Sequence, residues 1–354
     1  MAEFKKIGIL TSGGDAPGMN AAIRSVTRYA IYKNIEVVGI MNGYQGLLDS
    51  QLRSMLEGDV SHVIDRGGTM LYTSRCEEFK TDAGLRKAVE ICKQNEIDGI
   101  VTIGGDGTFR GANDLCKYGI PCIGLPGTID NDIACTDATI GFDTAMNTVL
   151  NMVDRLRDTG ESHARCNVVE VMGRKAGDIA IHTAIALGAE AVAIREYVFN
   201  EEYLYEKMLT AKKNGKRCFI VIVSEGTGRL FSEALAEQIQ TKTGISTNFA
   251  KLAHIQRGGS PSLVDRVLAT RMGCEAVELL TNGIAGRVVC LQGRDIVSVD
   301  IKLSQIMDKM LNNTLKSGDL DGIPPENIEM MQKRVNERIE YKKFQYDLVD
   351  ILSR

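Results

Sequence analysis

The sequence predicts an α/β protein built on a parallel, helix-covered sheet. Three observations carry this expectation. Short apolar runs such as Ile7–Leu10, Ile100–Ile103 and Cys122–Leu125 have the length and continuity of strands buried on both faces. Longer helix-like stretches alternate with such runs almost throughout the chain. Each of the three runs also opens into a short polar loop carrying glycine and aspartate, where an open α/β sheet binds its ligands.

The elements follow in order. The first run ends at Thr11-Ser12-Gly13-Gly14-Asp15-Ala16-Pro17-Gly18, and a helix over Asn20–Lys33 and a strand over Glu36–Ile40 come next. Residues 50–80 are polar and irregular, include Arg66-Gly67-Gly68-Thr69, and read as a loop or flap over a site. A helix over Ala83–Asn95 precedes the strand ending at Ile103. Phe142–Arg157 sets Phe142, Ala145, Met146, Val149, Val153 and Leu156 at helical spacing. Strand Asn167–Val171, helix Asp178–Leu187, strand Ala191–Ile194, helix Glu202–Lys213 and strand Cys218–Val223 continue the alternation. Beyond residue 300 the pattern turns helical and charged, Pro324-Pro325 marks a break, and Lys333–Arg354 reads as a terminal helical tail.

Bulk properties narrow the class. A chain of 354 residues accommodates about two domains. The 44% hydrophobic and 25% charged content is that of an ordinary globular enzyme. A net charge of −4 provides no basic field for nucleic acid or an anionic membrane. Met1–Lys6 runs straight into a strand and is not expected to be a signal peptide. No apolar run approaches the roughly 20 residues that span a bilayer, so a cytoplasmic location is expected. The nine cysteines are scattered, with no Cys-x-x-Cys and no zinc spacing, and are expected as reduced thiols. Cys122, Cys166 and Cys290 lie in apolar runs and are expected in the core, whereas Cys76 follows Arg75 near a candidate site.

The loops themselves point to phosphate chemistry. Gly13 and Gly14 permit close backbone approach, and the helix behind them offers N–H groups and a positive dipole end to an anion. Gly104-Gly105-Asp106-Gly107-Thr108 places a carboxylate among glycines at a strand end. Asp106 is a candidate Mg²⁺ ligand or, with Thr108, simply a helix cap. Pro126-Gly127-Thr128-Ile129-Asp130-Asn131-Asp132 carries two carboxylates that repel unless a cation or proton separates them. One can accept a substrate proton while the other holds a metal, and the residues alone do not say which. Arg165, Met172-Gly173-Arg174 and His254-Ile255-Gln256-Arg257-Gly258-Gly259 supply guanidinium groups near predicted strand ends. Metal carboxylates and anion clamps together are the parts of phosphoryl transfer. The chain lacks a Gly-x-x-x-x-Gly-Lys-[Ser/Thr] loop, a Gly-x-Gly-x-x-Gly after the first strand and a Gly-x-Ser-x-Gly elbow. P-loop, nicotinamide and hydrolase readings therefore lose their motifs.

In residues 10–24, 66–69, 103–108, 123–133, 155–159, 168–174 and 254–261 the chain resembles the bacterial ATP-dependent 6-phosphofructokinases, block by block and in family order. The resemblance implies two stacked Rossmann-like α/β/α domains with mainly parallel sheets. The larger, for ATP and Mg²⁺, would comprise 1–141 and 257–305; the smaller, for fructose 6-phosphate, 142–256 and 306–354 with the helical tail. The implied reaction is phosphorylation of fructose 6-phosphate by ATP. A pyrophosphate-dependent enzyme and a weakly active or regulatory paralogue are the alternatives.

By position, the resemblance implies nucleotide contacts at Gly14, Tyr44, Arg75, Cys76, Gly105, Asp106, Gly107 and Thr108, with Mg²⁺ at Asp106 and Asp132. It implies Asp130 as general base, assisted by Thr128, Arg75 and Arg174. The sugar phosphate would meet Thr128, Ile129, Asp130, Arg165, Met172, Gly173, Arg174, Glu225, His254, Ile255, Gln256 and Arg257. It further implies a homotetramer in which the counterpart of Arg165 crosses a subunit interface, and an effector site at Arg24, Arg28, Arg157, Gly188, Glu190 and Lys216. Small residues at Gly107 and Gly127, where pyrophosphate-using relatives carry Asp and Lys, favour ATP as donor. The chain departs from the family pattern at Asn248, where a second cross-subunit arginine is usual and Lys251 is near in sequence. It departs again at Glu57, Asn214 and Cys218 of the effector set, so weak effector control is expected.

Overall fold

The computed structural model describes residues 4–353. In chain order the elements are β1 (Lys6–Ser12), α1 (Met19–Tyr32), β2 (Glu36–Ile40), α2 (Gly43–Leu48), β3 (Leu52–Met55), α3 (Asp82–Gln94), β4 (Gly99–Gly104), α4 (Asp106–Lys117) and β5 (Cys122–Pro126). Then come α5 (Phe142–His163), β6 (Cys166–Val171), α6 (Asp178–Leu187), β7 (Ala191–Ala193), α7 (Glu201–Lys213), β8 (Phe219–Ser224), α8 (Phe231–Thr243) and β9 (Thr247–Lys251). The chain closes with α9 (Leu263–Thr281), β10 (Arg287–Gln292), β11 (Asp295–Asp300), α10 (Ile301–Leu311) and α11 (Pro325–Leu352). The α/β class is as the alternation predicted. Residues 50–80 hold more structure than the loop expected there, namely β3 and single helical turns at Glu57–Val60 and Glu78–Lys80. No helix among the described residues is long and apolar enough to cross a membrane.

Two compact units divide the chain. The first comprises 1–129, 133–143 and 257–336; the second comprises 130–132, 144–256 and 337–354. The first holds a seven-stranded sheet in the order β11-β10-β5-β4-β1-β2-β3. Its interior pairs are parallel, and the antiparallel strands β3 and β11 lie at the edges. Strands β1, β4 and β5 are apolar along their length because helices cover both faces. One face packs Leu10, Ile100 and Cys122 against Leu47, Val89, Leu115 and Met307. The same cluster takes in Ile306, Met331 and Val335. Residues 306–336 therefore pack in the first unit, not with the second domain as the resemblance implied.

In the second unit a four-stranded parallel sheet runs β7-β8-β6-β9. Cys166, Val168, Phe219, Val221 and Val223 face α7 and α8 through Leu204, Met208, Leu235 and Ile239. The intervening Val169, Val171, Ile220 and Ile222 are buried on the opposite face, so this sheet too is covered on both sides. Side-chain caps start several helices: Thr81 accepts from the Gly84 N–H, Asn200 from Tyr203, and Ser262 from Asp265.

Candidate active site

In the first unit β1 has β2 on one side and β4 on the other. The chain reverses its winding between β1 and β4, which opens a crevice at the carboxyl ends of the strands. Ser12 registers with Gly104, and Gly104 with Pro126, so all three loops leave the sheet at the same end. Gly13 has φ +89°, which glycine adopts without strain. A β-carbon on Gly14 would lie 2.3 Å from Nη1 of Arg257, and that nitrogen donates to the Asp15 carbonyl at 3.2 Å. Arg257, expected among the sugar contacts, thus packs over the first loop. The Thr73 hydroxyl donates to the Gly13 carbonyl at 2.9 Å. Arg75 beside it is exposed, and Cys76 is half-buried at the margin of the apolar cluster.

The second loop starts α4. A β-carbon on Gly104 would sit 2.2 Å from the Ser12 carbonyl, and Thr108 Oγ1 donates to that carbonyl at 3.0 Å. Gly105 precedes the helix in extended conformation and no side chain caps it, which leaves the helix start shaped for an anion. Arg110 forks onto Asp106, with Nε 3.2 Å from Oδ1 and Nη2 on Oδ2. A β-carbon on Gly107 would meet nothing within 4 Å, whereas one on Gly127 would press on Ile103 at 3.0 Å and Met19 at 3.1 Å. Tyr44, expected at the nucleotide, is 6% exposed. Its hydroxyl donates to the Thr108 carbonyl at 2.6 Å and its ring stacks on Phe79. It supports the loop from behind. Thr128 is tied into the chain by its N–H to the Ile140 carbonyl, and Ile129 is wholly buried, so its side chain belongs to the core.

In the second unit β8, β6 and β9 lie side by side, and the loops after them carry the polar groups. Gly173 has φ +136° and Arg174 the left-handed φ +57°. The Arg174 N–H donates to Glu225 Oε1 at 2.8 Å, and its guanidinium lies 3.8 Å from Asp132 Oδ2. Asp130 is buried at 4% exposure, followed by Asn131 at φ +50°. His254 and Ile255 are exposed, but Gln256 is buried, accepting from the Met172 N–H at 3.2 Å and donating to the Ala253 carbonyl at 3.1 Å. Gln256 therefore braces the Met172 turn. Arg165 does not join this group. It precedes β6 while Arg174 follows it, which sets the two roughly 20 Å apart along the strand. Asn248 pairs with Asn167 near the same far end as Arg165. Lys251 stands at the near end, bound to Glu170 Oε1 at 2.6 Å, so it does not stand in for an arginine at 248. That hydrogen bond and charge hold the Lys251 ammonium above its usual range.

The effector candidates divide between the units. In the first, Arg28 donates to Ser61 Oγ at 3.3 Å, and that hydroxyl reaches the Glu57 carbonyl; Arg24 buries its Nε. In the second, Lys216 pairs with the buried Glu190, Arg157 donates to the Leu187 carbonyl, and Gly188 closes α6 at φ +58°. Asn214 caps the end of α7, and burial pushes the Cys218 thiol up.

Sequence reasoning missed several supports. Asn20 holds the Arg66–Met70 loop, donating to the carbonyls of Arg66 and Gly67 at 3.1 Å and accepting from the Met70 N–H at 2.7 Å. Its signal was a polar residue amid the apolar start of α1. Glu170, buried in the middle of an apolar strand, takes Ser232 Oγ at 2.7 Å besides Lys251. Asp178, Glu196, Arg338 and Lys342 form a charge cluster in the second unit, with Asp178 and Lys342 buried.

Glycine-lined loops at the switch point of a doubly wound sheet define an α/β protein of the phosphate-binding kind. More narrowly, the chain belongs to the phosphofructokinase family, whose profile matches residues 6–280. It is 51% identical over 312 residues to the ATP-dependent 6-phosphofructokinase of Clostridium novyi, covering 88% of this chain and 97% of that protein. It is 51% identical over 306 residues to that of Bacillus pumilus, covering 86% and 95%. The solved phosphofructokinase from Saccharomyces cerevisiae superposes with a TM-score of 0.83 at 31% identity over 94% of this chain; the chain spans 50% of that longer one.

Proposed function

We propose that this protein is an ATP-dependent 6-phosphofructokinase, which transfers the γ-phosphate of ATP to the 1-hydroxyl of fructose 6-phosphate and releases ADP and fructose 1,6-bisphosphate. The observation that carries the reading is the Gly104–Thr108 loop, seated at the switch point with an uncapped helix start behind it. The relatives named above bear the same activity in their names.

In this reading the first unit binds the nucleotide, through Gly14, Gly105, Asp106, Gly107 and Thr108 with Arg75 and Cys76 alongside. The second binds the sugar phosphate, through Met172, Gly173, Arg174, Glu225 and His254. Asp130 takes the proton from the sugar hydroxyl as that oxygen forms its bond to the γ-phosphorus. The bond from γ-phosphorus to the bridging oxygen breaks, and ADP leaves with the electron pair. Arg75 and Arg174 offset charge gathering on the transferred group. Glu225 fixes the backbone from which Arg174 reaches.

Asp106 and Asp132 are the carboxylates that would hold Mg²⁺ in this reading, an ion that takes one or two carboxylates and completes its shell with phosphate and water oxygens. No group of three His, Cys, Asp or Glu arranged as a full cage occurs among the described residues. When bound, Mg²⁺ would neutralise phosphate charge. Gly107 supports ATP over pyrophosphate, because only open space surrounds it, whereas Gly127 is tightly packed by Ile103 and Met19 of the chain itself. The placing of Arg165 and Asn248 at the far end of β6 and β9 supports a homotetramer in which a neighbouring copy uses that end. The cytoplasm is the compartment that this chemistry implies. With Glu57, Asn214 and Cys218 in the effector set, control by a nucleoside diphosphate or phosphoenolpyruvate is weak.

The test compares fructose 6-phosphate turnover with ATP and with pyrophosphate, with and without those effectors, in the wild type and Asp130→Asn. ATP-driven turnover that Asp130→Asn abolishes is expected. Turnover with pyrophosphate alone, or none in the wild type, would refute the reading, and a large effector shift would refute the weak-control part.

A further inference from the structure

We propose that Arg338, on the C-terminal helix and outside the family-matched residues 6–280, is a positioning residue for the catalytic loop. The inference rests on the reading of Asp130 as base. Residues 130–132 and 337–354 belong to the same compact unit. There the Arg338 guanidinium donates through Nη2 to the carbonyl of Asn131, the residue between Asp130 and Asp132. Asn131 is buried and left-handed at φ +50°, a turn conformation that asparagine tolerates and that its partners hold in place. Arg338 is one such partner, and its hydrogen bond comes from far along the chain.

The donor is itself held. Arg338 Nη2 lies 3.7 Å from Asp178 Oδ1, and Lys342 Nζ lies 2.5 Å from Asp178 Oδ2. Lys342 also meets Glu196 Oε1 at 3.0 Å, and that oxygen accepts the Gly177 N–H at 2.9 Å. Two acids and two bases thus balance in a cluster whose centre, Asp178 and Lys342, is buried. Burial pushes the Asp178 carboxyl up, but the charges of Lys342 and Arg338 outweigh it and hold the group below the usual carboxylate range. Burial likewise pulls the Lys342 ammonium down, and Asp178 and Glu196 return it above its usual value. The ionised Asp178 carboxylate thus draws the same Nη2 that donates to the Asn131 carbonyl, and so helps to orient the guanidinium. A shift of the loop by an ångström would misplace Asp130 against its substrate while the contacts made outside the loop stay in place.

The experiment measures kcat and KM for Arg338→Met and for the double variant Asp178→Asn/Arg338→Met, which removes one acid and one base and so strands no charge. Expected for both is a kcat lower by about ten- to a hundredfold with little change in either KM, and for the double variant a nearly native melting temperature. In an Asp130→Asn background, Arg338→Met should cause no further loss, because the base it positions is gone. A folded double variant with native kcat, or a full further loss in the Asp130→Asn background, would overturn the inference. Native turnover in Asp130→Asn alone would instead remove the base reading. If Arg338→Met fails to fold, the double variant decides.

Discussion

The carboxyl ends of the two sheets are built from different materials. In the first unit the end is made of backbone: Gly13 in a left-handed turn, Gly104 against the Ser12 carbonyl, and short hydrogen bonds from Thr73, Thr108 and Tyr44 to main-chain oxygens. In the second it is made of charge: Arg174 with Asp132, Lys251 with Glu170, and the Asp178–Lys342–Glu196 cluster behind. A surface of amides and glycines leaves room and donors for a large anion. A surface of paired side chains fixes single groups at single points, which suits a base and the guanidinium beside it. The difference is testable, since the two constructions respond oppositely to substitution.

The largest effect is expected at Asp130. Replacement by Asn should lower kcat by about 10²- to 10⁴-fold, the range of general-base contributions, with the melting temperature nearly unmoved. Steady-state kinetics beside a thermal melt checks both halves. A large loss of stability instead would make Asp130 part of the scaffold and blur the contrast between the two ends.

Next in size is the charge cluster. Lys342→Met leaves Asp178 and Glu196 short of a cation, and breaking a buried pair by removing one partner costs about 3–5 kcal/mol. Denaturant titration measures it, and the paired change Asp178→Asn/Lys342→Met should cost clearly less. The pH dependence follows from the directions of the two shifts. Asp178 is lowered in the fold, so its contribution is present above the usual carboxylate value of 3.8 and is lost as pH falls through the folded value below it. Lys342 is raised, so its contribution is present below the usual 10.5 and is lost as pH rises through the folded value above it. Between those limits the pair's contribution is flat. Melting temperatures from acid to alkali should show wild type losing more than Asp178→Asn/Lys342→Met at both extremes.

These two constructions also explain what could be read from the residues alone. The glycine loops announce themselves because their causes are local: a positive φ, a close approach and a helix start all fall within a few consecutive positions. The alternation of strand and helix was legible for the same reason, and α6 has the bounds Asp178–Leu187 that its pattern predicted. The charge cluster was not legible. Lys342 and Glu196 stand 146 positions apart, and Arg338 stands 207 from Asn131, so no window contains both partners. Residues 306–336 were misplaced on similar grounds. Met331 and Val335 look like any amphipathic tail until the core of the first unit is seen to take them in. Tyr44, Ile129 and Gln256 illustrate a further point: neighbours of a ligand-binding loop share its motif whether they face the ligand or prop the loop from behind.

Gly104→Ala tests the backbone-built end directly. Its β-carbon would fall 2.2 Å from the Ser12 carbonyl and 2.3 Å from Thr108 Oγ1, both parts of the packed β1–β4 seam. Overpacking of this kind costs about 1–3 kcal/mol. The KM for ATP should rise alongside, because the seam also sets the loop. A variant that loses stability while keeping its nucleotide affinity would separate the loop from the site.

The smallest change in stability, and the one whose sign is most informative, belongs to Gly107. It lies in the first turn of α4, its backbone is not left-handed, and a β-carbon there meets nothing within 4 Å. Nothing in the chain's own packing asks for glycine. Alanine should therefore leave the protein as stable or raise it by about 0.5–1 kcal/mol, the ordinary gain for replacing glycine in a helix. If the vacancy serves a nucleoside triphosphate, that more stable variant should turn over ATP less well, and Gly107→Asp, which adds bulk and negative charge, should lose ATP use further. A thermal melt and an ATP saturation curve on the same samples read the two effects separately. Stability rising as ATP use falls would mark Gly107 as space kept for a ligand at the expense of the fold. Unchanged ATP kinetics in both variants would return it to the ordinary glycines of a helix start and remove the main support for ATP over pyrophosphate as donor.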